Sequence, residues 1–174
     1  MKRNARLTVY LSVLTAQAMV LNWVEGLIPM PLPVPGARLG LANIVTLVAA
    51  YTLPWPSVLL IVAARTILGS FLFSGLSTLL YSLSAGLASA VVMLSTRRIL
   101  RGDGASVLAV SLIGAIVHNL TQLTVAALVL ENIRVFMAYL PWLLLLAIPA
   151  GLFVGGAGRL LLRYTGRLRP DKSP

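Results

Sequence analysis

The chain is organised around the stretch PMPLPVPGARLGLANIVTLVAA, residues 29–50. Its first part carries a proline at every second position from residue 29 to residue 35. Each proline lacks a backbone N–H and holds φ near −65°, so this part cannot form a helix and we predict a hinge. The apolar run that follows predicts a helix over residues 39–53, with Arg38 and Asn43 close to its start. A charge and an amide beside a hinge indicate a gated binding site.

Composition places the chain in a lipid bilayer. Of its 174 residues, 59% are hydrophobic and 10% are charged, and the mean hydropathy is +0.94, whereas about a quarter of the residues of a soluble domain are charged. A run of roughly 20 apolar residues can cross about 30 Å of hydrocarbon. We predict a single membrane domain over residues 1–174. The chain has no cysteine, which excludes disulfides, thiolate metal sites and thiol catalysis.

Six apolar segments predict an all-α integral membrane bundle of six transmembrane helices. The first segment also has the form of a secretory signal, because Ala16-Gln17-Ala18 follows a short apolar run. We favour a retained helix because its polar face continues past that point. We expect the sixth helix to be interrupted at Pro149 and Gly151. The predicted helices cover residues 7–28, 39–53, 57–73, 76–94, 106–130 and 139–162.

The basic residues predict the orientation of the bundle. Six spans return both termini to one side, and we expect that side to be the cytoplasm. All but three of the 14 Lys and Arg residues then lie inside, as the positive-inside rule requires; the exceptions are Arg38, Arg65 and Arg134. The net charge of +10 is thus explained by topology and lipid contacts, with no nucleic-acid partner. The expected location is a cell membrane, the bacterial inner membrane.

Polar side chains from several helices converge in the outer half of this bundle. Arg65 is the most informative, because an arginine at mid-membrane costs about 2.5 to 3.5 kcal/mol on insertion scales and needs a partner. It could pair with Glu25 or Glu131 and merely hold helices together, or it could contact a ligand. His118 could likewise be a hydrogen-bonded packing residue. The predicted site has the lining residues Glu25, Arg38, Asn43, Arg65, His118 and Gln122 and the gate residues Pro33, Pro35 and Gly36.

Motifs for catalysis are missing from the sequence. The chain has four acidic residues, and they do not form the paired carboxylates that hold magnesium in diphosphate chemistry. No phosphate-cradling G-x-x-x-x-G-K-[ST] loop occurs, so the chain cannot itself hydrolyse ATP. We therefore expect no enzymatic activity, no metal and no cofactor.

Three segments carry a resemblance to a known family: Pro35 to Leu47, Ala64 to Gly69, and His118-Asn119. They resemble the small membrane-protein family called Gx transporter, often labelled heptaprenyl diphosphate synthase component I. That family is similar to the substrate-binding S components of energy-coupling factor transporters. The resemblance implies six helices that bind a small molecule on the outer side. It also implies a transmembrane T component and two ATPases as partners.

Two functions of different classes remain open. The first is a transport subunit that captures a small molecule in the outer-half cavity under the loop from Pro29 to Arg38. The second is a non-catalytic membrane accessory subunit of a prenyl diphosphate synthase, or of a flavin- or quinone-linked electron-transfer system, as the resemblance also implies. A lipid-bound structural scaffold is a third and simpler interpretation.

Overall fold

The computed structural model describes residues 2–27, 40–74, 77–100 and 104–165, and these residues form helices joined by turns. The all-α class predicted from the sequence is confirmed. A five-residue π-helical turn, Ser70–Ser74, continues the third helix. The α-helices are α1 (Lys2–Leu27), α2 (Ala42–Thr52), α3 (Trp55–Gly69), α4 (Ser77–Ile99), α5 (Gly104–Val129) and α6 (Ile133–Thr165).

Five of these helices are long and apolar enough to cross a bilayer, and α2 is the exception. With 11 residues, it extends about 16 Å at 1.5 Å per residue, roughly half of the hydrocarbon thickness. It is nevertheless buried throughout residues 42–50, because α1, α3, α4 and α6 all pack against it. The chain is therefore a multi-pass membrane protein with a half-length helix at its centre.

The contacts between helices define the direction of each one. Leu14 and Ala18 of α1 share a core cluster with Val58 and Ile61 of α3, and Asn22 lies beside Gly69, so α1 and α3 run in parallel. From α3 onward each helix runs antiparallel to the one before it. Trp55 at the start of α3 lies near Arg98 at the end of α4, while Val62 lies beside Gly86. Ser89 bonds to Gly114 while Ser82 lines the same cavity as His118, and Ser111 and Asn119 of α5 bond to Gly151 and Leu143 of α6. Consequently α1 begins and α6 ends at the same end of the bundle. We call this the near end, and the opposite one the far end.

The start of α3 differs from the prediction by two residues. Pro54 precedes the helix in an extended conformation, with φ −67° and ψ 151°, and Trp55 and Pro56 already belong to the first turn. Pro56 is compatible with that turn because the first N–H groups of a helix have no intrahelical acceptor. The connection between α2 and α3 therefore consists of two residues, Leu53 and Pro54.

The predicted interruption of the sixth helix is wrong. α6 is continuous from Ile133 to Thr165, starts six residues earlier than predicted, and passes through Pro141 and Pro149. Gly151 does not break it, because this glycine lies where α6 approaches α5: a Cβ added there would lie 2.9 Å from the Cα of Leu112. Small residues at such positions allow membrane helices to pack closely. This packing keeps α6 helical across Pro141 and Pro149.

Candidate functional site

A polar cavity of about 50 Å³ lies between the helices toward the far end. Glu25 comes from the last turn of α1, Asn43 from the first turn of α2, and Arg65 from the last third of α3. The near-end half of the bundle is instead filled by two apolar clusters that include residues of α2. The residues that line the cavity are Ala18, Asn22, Glu25, Gly40, Ala42, Asn43, Arg65, Thr66, Ser70, Ser82, His118 and Gln122.

Five of the six predicted lining residues therefore meet at one cavity. The sixth, Arg38, and the predicted gate residues Pro33, Pro35 and Gly36 lie outside the described residues. Glu131, considered as a partner of Arg65, is exposed at the turn between α5 and α6 and lines a separate surface depression.

Glu25 connects α1 to the start of α2. Its Oε1 accepts a hydrogen bond from the backbone N–H of Gly40 at 2.6 Å, and its Oε2 accepts one from Leu41 at 3.0 Å. The side chain is 5% exposed. These N–H groups lie at the positive end of the α2 dipole, where a carboxylate is stabilised, and hydrogen bonds to an ionised group are roughly twice as strong as neutral ones. Glu25 thus fixes the beginning of α2 against α1.

Gly40, where the described part of this turn begins, adopts a conformation that requires glycine. Its φ is +81°, a left-handed conformation that glycine adopts without steric cost. A Cβ added there would lie 2.9 Å from Nδ2 of Asn43. The turn therefore brings the Gly40 backbone directly against the Asn43 side chain, which leaves the Asn43 amide in a fixed position at the cavity.

Arg65 is the cation of the cavity. Its Nη2 donates a hydrogen bond of 2.9 Å to Oδ1 of Asn43, and the two side chains are 8% and 7% exposed. A guanidinium buried at this depth requires hydrogen-bond acceptors, because transferring an unpaired charge out of water is very costly. Since Asn43 is itself held by the Gly40 turn, Arg65 is linked through α2 to Glu25.

The fifth helix supplies His118 and Gln122, which are four residues apart and therefore lie on the same face. Both have interaction partners within the protein. Their neighbour Asn119 points elsewhere, since its Nδ2 donates a 3.0 Å hydrogen bond to the carbonyl of Leu143 on α6. Of these three polar residues of α5, His118 and Gln122 line the cavity and Asn119 joins α5 to α6.

Sequence reasoning did not place Thr66, Ser70 or Ser82 at the site, although all three line the cavity. Thr66 and Ser70 are four residues apart and lie on one face of the third helix and its π-helical continuation, so two hydroxyls at helical spacing are the signal that marks them. No such signal marks Ser82, because α4 carries several serines and only the packing of α4 selects one.

The cavity presents one carboxylate, one guanidinium, one imidazole, three amides and three hydroxyls. Such a set recognises polar groups by hydrogen bonding and charge. Within the described ranges, no group of three or more His, Cys, Asp or Glu side chains could hold a metal ion. The arrangement supplies hydrogen-bond donors, acceptors and charge, and the hydrogen bonds of Glu25, Asn43 and Arg65 connect α1, α2 and α3.

The fold and the site define a class: a polytopic α-helical membrane protein with a buried polar cavity toward one end of its bundle. Residues 14–161 match the family described as heptaprenyl diphosphate synthase component I. The chain belongs to that family, which confirms the resemblance predicted from the sequence. Comparisons with curated proteins and with solved structures gave no match.

Proposed function

We propose that this chain is the substrate-binding membrane subunit of a transport system and that it captures a small molecule in the far-end cavity. One observation carries the proposal: five polar residues from four separate helices, chosen from the sequence as a site, line the same cavity. Intramembrane polar residues are costly and generally serve a function or pair with one another. A T component and ATPases would supply the energy that this chain has no motif to generate.

The proposed ligand has a small polar end. A cavity of about 50 Å³ accommodates a group of a few atoms, whereas pockets for drug-sized ligands measure about 300–1,000 Å³. Arg65 provides charge complementarity for an anionic group, and the amides of Asn22 and Gln122 orient it. We infer that the polar end of the ligand occupies this cavity, and that the cavity opens to the outside of a cell membrane.

The test is native mass spectrometry of the full chain extracted gently from its own membrane, with Gln122→Ala compared to Asn119→Ala. Both variants remove an amide from α5, but only Gln122 lines the cavity, while Asn119 bonds to Leu143. We expect a stoichiometric small molecule in the unmodified protein and in Asn119→Ala, and its loss in Gln122→Ala. Arg65→Ala should also lose it.

Retention of the ligand in both cavity variants would place the binding site elsewhere and overturn the proposal. Loss of the ligand in Asn119→Ala as well as in Gln122→Ala would mean that α5 packing controls binding, and the direct role of the cavity would be rejected. Circular dichroism of each variant shows whether the helices are retained, so a folding defect is separated from a binding defect.

The family description favours a second candidate, an accessory membrane subunit of a prenyl diphosphate synthase. In that function the bundle holds a partner or an isoprenoid and performs no chemistry. The same extraction distinguishes the two candidates by the chains that copurify. A T component and ATPases support the transport subunit, whereas a synthase subunit, together with an isoprenoid that persists in Gln122→Ala, supports the accessory subunit.

A further inference from the structure

A second site lies at the near end, between the start of α3 and the end of α4. Two adjoining surface depressions of about 250 and 630 Å³ share Trp55, Leu94 and Arg98 and form one groove. We propose that this groove binds one anionic phospholipid, with its phosphate at Arg98 and an acyl chain along the apolar wall. The proposal is independent of the far-end cavity, which lies on the other side of the apolar clusters around α2.

Three features attract an anion to the mouth of the groove. Arg98 is exposed, and its side chain lines both depressions. α3 begins at Trp55, so the positive end of its dipole lies at the same place. Trp55 is 55% exposed, and its indole N–H can donate to a phosphate oxygen, as tryptophans do at membrane interfaces.

The contacts of Arg97 explain why Arg98 is the arginine more available to a ligand. The Arg97 guanidinium stacks 4.9 Å from the ring centroid of Tyr51, and its Nη1 donates to the carbonyl of Ala50. A cation at the end of a helix is favoured by the helix dipole, so Arg97 joins α4 to the last turn of α2. Both arginines line the larger depression, but Arg97 is engaged with α2, whereas Arg98 lines both depressions of the groove.

The wall of the groove suits a hydrocarbon chain. Leu59, Val91 and Leu94 line the smaller depression, and Val91 lies about two turns from Arg98 along α4, toward the bilayer centre. The hydroxyl of Ser95 donates to the carbonyl of Val91 within the same helix, which leaves this part of the wall apolar in character. A phosphate ester with an apolar tail matches both ends of the groove, whereas a free phosphate ion matches only one.

The experiment is native mass spectrometry of the purified full chain titrated with dioleoyl phosphatidic acid or dioleoyl phosphatidylcholine. We expect one phosphatidic acid to bind in preference to phosphatidylcholine, and Arg98→Gln to weaken that binding about fivefold, the contribution of one arginine near an anionic lipid. Trp55→Phe should weaken it less. The matched control is Arg163→Gln, which removes an exposed arginine from the near end of α6 and should leave the affinity unchanged.

Three results would overturn the proposal. Equal binding of the two lipids would show that the groove does not select charge. Equal weakening by Arg98→Gln and Arg163→Gln would mean that general surface charge, and not the groove, attracts the lipid. Displacement of phosphatidic acid by inorganic phosphate at the same concentration would identify an ion site without a place for the tail.

Discussion

Glu25 shows how a single residue positions the candidate site. Its carboxylate accepts hydrogen bonds from two consecutive backbone N–H groups at the start of α2, and α2 in turn carries Asn43, the acceptor for Arg65. The sequence indicated that Glu25 either pairs with Arg65 or contacts a ligand. The structure shows that it also anchors the start of α2. Its effect on stability is measurable separately from binding.

We expect Glu25→Gln to lower the free energy of unfolding by about 1–3 kcal/mol, because a charged acceptor is replaced by a neutral amide with a single oxygen, leaving a buried N–H without its acceptor. The measurement is reversible unfolding in detergent micelles. Glu131→Gln is the control, since Glu131 is exposed at the α5–α6 turn, and it should change stability by no more than about 0.5 kcal/mol. Equal losses in the two variants would contradict the anchoring role of Glu25.

At the scale of helices, the main feature of the C-terminal half of the chain is the close packing of α5 against α6. A Cβ added at Gly151 would lie 2.9 Å from Leu112 Cα, and one added at Gly155 would lie 3.1 Å from Leu108 Cα. Ser111 reinforces this contact with a 2.8 Å hydrogen bond to the Gly151 carbonyl. Gly151 and Gly155 are thus part of the interface between α5 and α6.

The glycines of α6 provide a matched pair of substitutions. Gly151→Ala should destabilise the protein by about 1–3 kcal/mol, because α5 and α6 must move apart to admit the methyl group. Gly156→Ala meets nothing within 4 Å and should be neutral or stabilising by up to about 1 kcal/mol, since alanine favours a helix. Thermal unfolding of the two purified variants measures the difference. If both variants unfold at the same temperature as the unmodified chain, the close contact of Gly151 with α5 does not determine the stability of the protein.

At the scale of the whole molecule, the direction of each helix brings the start of α1 and the end of α6 to the same end. The basic residues predict that this near end faces the cytoplasm. The far-end cavity would then face the outside, which is the arrangement that a capture subunit requires. Orientation is therefore the property that relates the fold to the proposed capture of a small molecule from the outside.

Labelling of single cysteines tests this orientation directly, because the natural chain contains no cysteine. Ile99→Cys and Tyr164→Cys lie at exposed positions of the near end, and Ile133→Cys lies at an exposed position of the far end. A membrane-impermeant maleimide added to intact cells should label Ile133→Cys alone, and the other two should react after the membrane is opened. The reverse pattern would place the cavity on the cytoplasmic side.

Much of this architecture follows from local sequence patterns. Long apolar runs predict the spanning helices, since each must cover the hydrocarbon thickness by itself. Costly polar residues at mid-helix, such as Arg65 and Gln122, indicate a site for the same reason. Five of the six predicted lining residues lie at the cavity because intramembrane polar groups face the protein interior and find one another there.

Only the tertiary structure decided the remaining features, because they depend on distances between residues that are far apart in the chain. The anchoring of Gly40 by Glu25, the acceptor of Arg65 and the choice of Ser82 among the serines of α4 all follow from how helices pack. The continuity of α6 is of the same kind: Pro149 and Gly151 predict a break from local propensity, but the contact with α5 outweighs it. The sequence by itself therefore determined that the chain is an all-helical membrane protein and indicated five of the polar residues that line the cavity. Packing determined the other lining residues and which polar groups hold one another in place.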